Sequence, residues 1–416
     1  MASDFGKLKL QILAAALLHN NQSMDKNKGK RAWLKLIIPL AIAVSMSLIS
    51  GFPALIEKYY TGYVYPVIST TMRFLFGWLP FSIGDLLYLS AAIWLIVRFY
   101  KTGKAVLKKR VSKESFLRSL RRTVAVILWI YIIFYSFWGL NYSRLGISYQ
   151  LKLEPVDYST NDLKILTASL ITKVNASRLE LGDSVTYPSN KEMFSIATSA
   201  YNRAEQNLPF LHYKVASIKS SMWGWLGNYT GFLGYYNPFS AEAQVNTTVP
   251  RFVIPFTVCH EIGHQLGYGS EDEANFSGYL AAMSSTDERF HYSAYFDLFN
   301  YANRELFIRD SFAARANYKL LDTLVKKDIQ TYKKFIIDHK NPIEPLIDKV
   351  YGKYLVANNQ PNGLDTYDEV VGWLIAYKKN MENCKPQLLK GVKNKEVVLI
   401  VFNSVTNVQV SDTTKT

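Results

Sequence analysis

Two runs of 21 residues, 36–56 and 123–143, contain no charged side chain. A helix rises about 1.5 Å per residue, so each run can cross a hydrocarbon core of about 30 Å. Much of the first third of this chain therefore has to fold against lipid. A third run, Leu86 to Val97, is shorter and bounded by Asp85 and Arg98. It extends to a full crossing if Arg98 snorkels to one interface and Asp85 sits at the other. Aromatics enrich the last run (Trp129, Tyr131, Tyr135, Trp138, Tyr142), as they do at membrane interfaces.

The formal net charge of +15 would suggest nucleic acid if it were spread evenly. Instead, residues 1–35 hold seven Lys/Arg against Asp4 and Asp25, and residues 101–122 hold nine against Glu114. The rest of the chain is close to neutral, so no nucleic-acid partner is expected. Both basic stretches flank apolar runs, and the positive-inside rule puts both in the cytoplasm. That requires three crossings, at about 34–56, 83–100 and 123–142. The expected organisation is a cytoplasmic tail (1–32), a membrane region (33–144) with a basic cytoplasmic loop (101–122), an extracytoplasmic domain (145–400) and a polar tail (401–416). The expected location is the inner (cytoplasmic) membrane, multi-pass, with the N-terminus in the cytoplasm. Residues 8–18 form an apolar patch too short to span, and the chain can start at Met1 or Met24.

After residue 145 the pattern is globular and mostly helical. Thr160-Asn161-Asp162 can cap a helix carrying Leu163, Leu166 and Leu170, and 191–207, 287–340 and 366–382 also read as helix. Ser217 to Asn237 is rich in Gly and aromatics and reads as loops, and Ala241 to Val249 is β-prone. Cys259 and Cys384 are the only cysteines, which excludes a disulfide framework; both are expected to be small buried hydrophobes.

The chemistry is concentrated in His260-Glu261-Ile262-Gly263-His264, although the chain has only six histidines. Histidines four apart share one helix face, so both imidazoles can bind one metal ion. Glu261 is rotated by about 100° from His260, within reach of a metal-held water without being a ligand. Zn²⁺ lowers the pKa of such a water to about 7, and a carboxylate can take its proton. Gly267 and Gly269 suit a helix end and turn. Ser270 to Glu273 then reads as a capping box, with Ser270 as N-cap and Glu273 at the third helical position. Two carboxylates compete for the third metal position. Glu273 already has the capping role, so Glu271 is favoured and Glu273 stays as the alternative. Asn275 lies one turn after Glu271, where it could orient a ligand histidine.

This pattern, with Glu271-x-x-Ala274-Asn275 following, resembles the gluzincin class of zinc peptidases. The resemblance implies Zn²⁺ held by His260, His264 and Glu271, with Glu261 as general base. With the three crossings read above, the expected fold class is three N-terminal transmembrane helices followed by a mostly helical α+β domain, which the resemblance implies is zincin-like. The chain is also similar to an uncharacterised bacterial family, a domain of unknown function with three spans and a zincin motif. That similarity rests on Trp138 to Arg144, Asn237 to Asn246, Glu271 to Phe276 and Gly363 to Tyr367, and it brings little biochemistry with it. One departure is the spacing: Glu271 follows His264 by only seven residues, and Ser270 occupies the position where a metzincin would have its third ligand.

Weaker expectations complete the reading. Ala241 to Thr248 is the candidate sheet edge for binding an extended peptide, with Glu242 and Asn246 facing the cleft. Tyr268, Tyr367 and His291 are candidates for stabilising an oxyanion. Asn141 to Arg144 is expected at the outer membrane boundary, either packing the domain onto the spans or as interface chemistry. The site, following Arg251 and more than 100 residues beyond the last run, is expected to lie far from the spans. The expected function is a membrane-anchored zinc endopeptidase acting on a peptide or protein outside the cytoplasm, with the lipid bilayer as its other partner. The alternatives are a non-catalytic binding or scaffold protein and a zinc amidase acting on envelope material.

Overall fold

The first helix, α1 (Lys26–Ile49), ends well short of residue 56. Pro53 has no N–H for a helical ladder and disfavours helical geometry at Phe52, which takes φ −121° and ψ 75°. The chain turns through 96° into α2 (Pro53–Phe76). The computed structural model describes residues 26–108, 112–153 and 157–388, without the side chains of 26–33, 113, 366–368 and 381–388. The apolar patch 8–18, Met24, the side chains of Tyr367 and Cys384, and the polar tail 401–416 lie outside the described residues.

α2 buries one stripe, Ile56, Tyr60, Tyr65, Ser69 and Arg73. Two further helices follow, α3 (Ile83–Leu107) and α4 (Lys113–Phe137). They are long and apolar enough to cross a membrane, and the bent pair α1–α2 adds a third candidate if it counts as one span. The weakest apolar run thus yields one of the two continuous candidate spans, because helical order continues past Arg98. The basic stretch 101–122 is carried mainly on the adjoining ends of α3 and α4 rather than in a loop.

α3 is anchored at its first turn. Ser82 is its N-cap, accepting from Asp85 N at 2.9 Å. The buried Glu242 carboxylate accepts from Ile83 N at 3.1 Å and Gly84 N at 2.6 Å, a negative charge on a helix N-terminus. Gly84 is required there, since a Cβ would lie 2.6 Å from the Asn237 and Gln244 side chains. Glu242 therefore clamps a helix and does not face a cleft.

A short 3₁₀ turn, Gly139–Ser143, leads from α4 into the domain. Arg144 forms a two-pronged ion pair with Glu57 of α2 (3.1 Å on each prong) and stacks on Tyr268 at 4.6 Å. The domain continues with α5 (Gly146–Leu151), α6 (Thr160–Glu180) and α7 (Asn190–Ala204). The N-cap of α6 is Ser159, which forms a reciprocal capping box with Asp162. Strand β1 (Ile218–Ser220), helix α8 (Gly224–Thr230), and strands β2 (Gly234–Asn237) and β3 (Glu242–Val245) follow. The sheet order is β1-β3-β2; β1 pairs parallel to β3 (Ile218 with Ala243) and β2 pairs antiparallel to it (Gly234 with Val245). The strand expected at the edge, β3, is the central one, and β2 is an edge.

Two buried helices form the centre of the domain, α9 (Ile254–Gln265) and α10 (Glu271–Met283). Every residue of α9 is buried, and only Glu273 of α10 is not. They cross closely because of two glycines. A Cβ on Gly278 would lie 2.9 Å from His260 N, and one on Gly263 would lie 2.4 Å from Ser277 Oγ. Around them pack α6, α7, α11 (Glu288–Arg309), α12 (Ser311–Leu320), α13 (Thr323–His339), α14 (Glu344–Ala357) and α15 (Val370–Leu388). The main core joins Tyr201, Phe256, Phe276, Phe290 and Phe296, each worth about 2–3 kcal/mol by burial. A smaller cluster of Ile56, Tyr60, Tyr65, Trp138 and Leu140 fills the joint between the candidate spans and the domain.

The crossing gives a direct test. Gly278→Ala should cost about 1–3 kcal/mol, because backbone on the facing helix has to move. Gly103→Ala, which meets nothing within 4 Å, should leave the melting temperature unchanged or higher. Thermal melts of both variants in the same detergent would show the two outcomes.

Candidate metal centre

His260 and His264 stand one turn apart on α9, with ring centroids 4.7 Å apart. α9 ends in a left-handed glycine, Gly267 (φ +87°), with Gly267 N donating to His264 O at 3.0 Å and Tyr268 N to Gly263 O at 3.2 Å. This tight end turns the chain back within seven residues and makes Glu271 the first residue of α10. Together with the glycine crossing, it places Glu271 Oε2 3.2 Å from His260 Nε2 and 3.4 Å from His264 Nε2. Among the described residues, these three side chains form the one group of ligand atoms lying within 4.8 Å of one another.

The outer nitrogens are committed elsewhere. His264 Nδ1 lies 2.7 Å from the Tyr268 carbonyl, which can only accept, so this nitrogen carries the proton. His260 Nδ1 lies 2.8 Å from Asn275 Oδ1, with the same consequence. Both Nε2 lone pairs therefore point at Glu271 Oε2, which is buried and makes no hydrogen bond of acceptable geometry. Three acceptors converging in this way repel one another unless a cation, or in its absence a proton on a histidine Nε2, lies between them. The donor set, two imidazoles and one carboxylate, suits Zn²⁺ and leaves a fourth position open. Tyr351 donates to the other Glu271 oxygen at 2.7 Å and fixes the carboxylate.

The electrostatics agree with the geometry. Burial alone would raise the Glu271 pKa, but His264 and His260 outweigh it and hold the carboxyl well below the usual range. Burial alone would lower the His264 pKa, but the Glu271 charge overcomes it and lifts it to about 9. Burial lifts Glu261 to about 7 against the opposing pull of the two histidines. Glu261 Oε2 has no hydrogen-bond partner, and the other oxygen lies where a Cβ on Gly234 would approach to 2.5 Å. Strand β2 thus leaves room for this carboxylate only because it carries glycine there.

These residues open onto a cavity of about 580 Å³. Its wall is largely aromatic and includes Tyr88 of α3, Phe134 of α4, Trp138, Tyr236, Tyr351 and Tyr354. The site is therefore not remote from the apolar helices. Trp138, the residue after α4, donates its indole N–H to the His264 carbonyl at 3.2 Å.

The structure brings together His260, Glu261, His264 and Glu271. It separates Glu273, which accepts from Ile147 N at 2.7 Å instead of completing a capping box, and Ser270 caps α10 without a side-chain hydrogen bond. Asn246 reaches the cavity wall, but its amide holds Asn228 at 2.8 Å. Tyr268 donates to Gln150, and His291 pairs with Glu288 and the Ser285 carbonyl; neither lines the cavity. The sequence reading missed Tyr351 and Tyr354, which sit three apart on one face of α14. In a chain with 28 tyrosines that spacing carries no distinguishing signal.

A family model described as a protein of unknown function, DUF3810, matches residues 60–375. The chain belongs to this family. The match runs from α2 into α15, so the DUF3810 region contains both continuous apolar helices and the entire His260–His264–Glu271 cluster. No curated protein and no solved structure matches the chain.

In metal-stripped protein, the raised His264 pKa predicts a definite pH dependence. The folded chain holds this proton more tightly than the unfolded chain, whose histidine titrates near 6.5. That contribution to stability is fully present below pH 6.5 and is lost as pH rises through about 9. The melting temperature of chelator-treated protein should fall between pH 7 and 9.5, and His264→Gln should flatten the fall.

Proposed function

We propose that this DUF3810 protein is a membrane-anchored, gluzincin-like zinc hydrolase that cleaves peptide bonds. The observation that carries the proposal is the convergence of His260 Nε2, His264 Nε2 and Glu271 Oε2 while both Nδ1 atoms are held from behind. Zn²⁺ bound by these three residues would supply an acidified water and polarise a substrate carbonyl. Glu261, buried beside the cluster with an unpaired oxygen and a pKa raised to about 7, is suited to take a proton near neutral pH and return it to the leaving amine. Asn275 and the Tyr268 carbonyl keep the imidazole rings oriented, and Tyr351 keeps Glu271 from rotating away. The largely aromatic wall excludes water from the reacting groups. The β2 edge offers main-chain groups to an extended substrate.

The membrane arrangement belongs to the same proposal: three spans, with α1–α2 as the bent one and the basic stretches in the cytoplasm. A domain containing the cluster then lies on the outer side of the inner membrane.

Two experiments test this reading. Elemental analysis of the full-length protein should find about one zinc per chain, lost in His264→Ala and Glu271→Ala. Asn275→Ala should weaken zinc affinity about 10–100-fold. Glu261→Gln should keep the zinc and lose about 10²-fold or more of peptide hydrolysis. Zinc-free wild-type protein would refute the metal reading. For topology, single cysteines at Lys108 and Lys191, with Cys384 replaced by Ser, should differ toward an impermeant thiol reagent in intact cells. Lys191→Cys should label directly and Lys108→Cys only after permeabilisation; the reverse would overturn the orientation.

A further inference from the structure

We infer that the centre is supplied from the bilayer: its substrate is a membrane-anchored polypeptide whose apolar juxtamembrane stretch enters between α3 and α4. For its chemistry this rests on the hydrolase reading; for the occupant it rests on the shape and lining of the cavity.

The two helices frame the entrance without closing it. α4 packs along α1, whereas α3 and α4 do not pack side by side along their length. A hydrogen bond from Arg98 to Ser119 joins them toward their far ends. At the domain end both reach the cavity wall, α3 through Tyr88 and α4 through Phe134, with Trp138 just after it. Beyond its clamped first turn α3 buries no side chain against the rest of the protein. With α3 and α4 set in a bilayer, a slot between them that leads to the His260–His264–Glu271 cluster would open toward lipid.

The wall selects an apolar guest. Its ionisable acids and histidines are Glu261, Glu271, His260 and His264, all belonging to the cluster. The surface beside the α3 first turn is also apolar: Trp78 and Phe81 precede it, and Met222 and Trp225 adjoin it, all four exposed. Met222 N is hydrogen-bonded to Asp85 of α3 at 2.7 Å, so this patch is fixed to the mouth of the slot. Exposed aromatics at the end of a span suit the membrane interface.

The edge strand favours a polypeptide over a lipid. Gly234, Tyr235 and Tyr236 of β2 line the cavity, and β2 is an outer strand of its sheet. An extended chain lying along it would gain backbone hydrogen bonds that an acyl chain cannot make.

The experiment uses full-length Glu261→Gln protein in phospholipid vesicles. Two synthetic peptides share an apolar stretch bearing a photo-crosslinking residue, and one continues into a transmembrane helix. Crosslinks to the segment 232–239 should be at least tenfold more abundant with the anchored peptide. Wild-type protein should cleave the anchored peptide within the shared stretch. Equal crosslinking of the two peptides would overturn the proposal. So would a photoreactive phospholipid that labels 232–239 and is not displaced by the anchored peptide, since the occupant would then be lipid. Zinc measured on the same sample separates the two readings: anchor-dependent crosslinking without zinc keeps the occupant and removes the hydrolase, whereas zinc with anchor-independent crosslinking does the opposite.

Discussion

Two imidazole nitrogens and a carboxylate oxygen held within 4.8 Å of each other, which need a cation or a proton between them, are the constraint on which the centre of this structure depends. Left alone they would separate, because each is better solvated elsewhere. They stay together because each is held from behind: His260 by Asn275, His264 by the Tyr268 carbonyl, and Glu271 by Tyr351. The backbone contributes through the crossing at Gly263 and Gly278 and the left-handed Gly267. Without these, α10 could not start seven residues after His264 and still face it.

The same helix is tied to the apolar helices. The His264 carbonyl accepts the Trp138 indole, and the Gln265 carbonyl accepts Tyr65 at 2.8 Å and Ser69 at 3.2 Å. These are C-terminal carbonyls of α9: that of His264 also accepts from Gly267 N in the turn, and that of Gln265 is met by side chains. A helix end that would otherwise need water is finished by side chains from α2 and from the end of α4. Glu242 reciprocates by finishing the N-terminus of α3. Domain and apolar helices thus complete each other's termini, a closer dependence than apolar packing alone would give.

Much of this was legible in the sequence where one residue type has few alternatives. His260, Glu261 and His264 stood out because histidine is scarce, and Glu271 stood out because Glu273 had a competing local role. The reason given for Glu273 was wrong in detail: its carboxylate reaches Ile147 N, not its own helix cap. The apolar helices were legible from missing charge, but their ends were not. Charge says nothing about the Pro53 break, and α3 and α4 continue into Lys/Arg-rich sequence because those side chains are good helix formers. The order of the sheet was not legible either. Three strands of three or four residues carry no alternation long enough to distinguish a centre from an edge, and Glu242, polar but wholly buried, read as facing the cleft. Aromatic lining was invisible for the opposite reason, since tyrosine is too common here to nominate any one position.

Glu261 is where the fold and its chemistry conflict most openly. An ionised carboxylate buried with an unpaired oxygen costs a few kcal/mol or more. Gly234 gives up side-chain packing and β propensity to make space for it. The raised pKa, about 7, is the physical record of that conflict, and the two histidines opposing it keep the value near neutrality instead of far above. A polar group held at such cost, beside the candidate metal centre and facing a cavity, is what the proposed hydrolase would require of its general base.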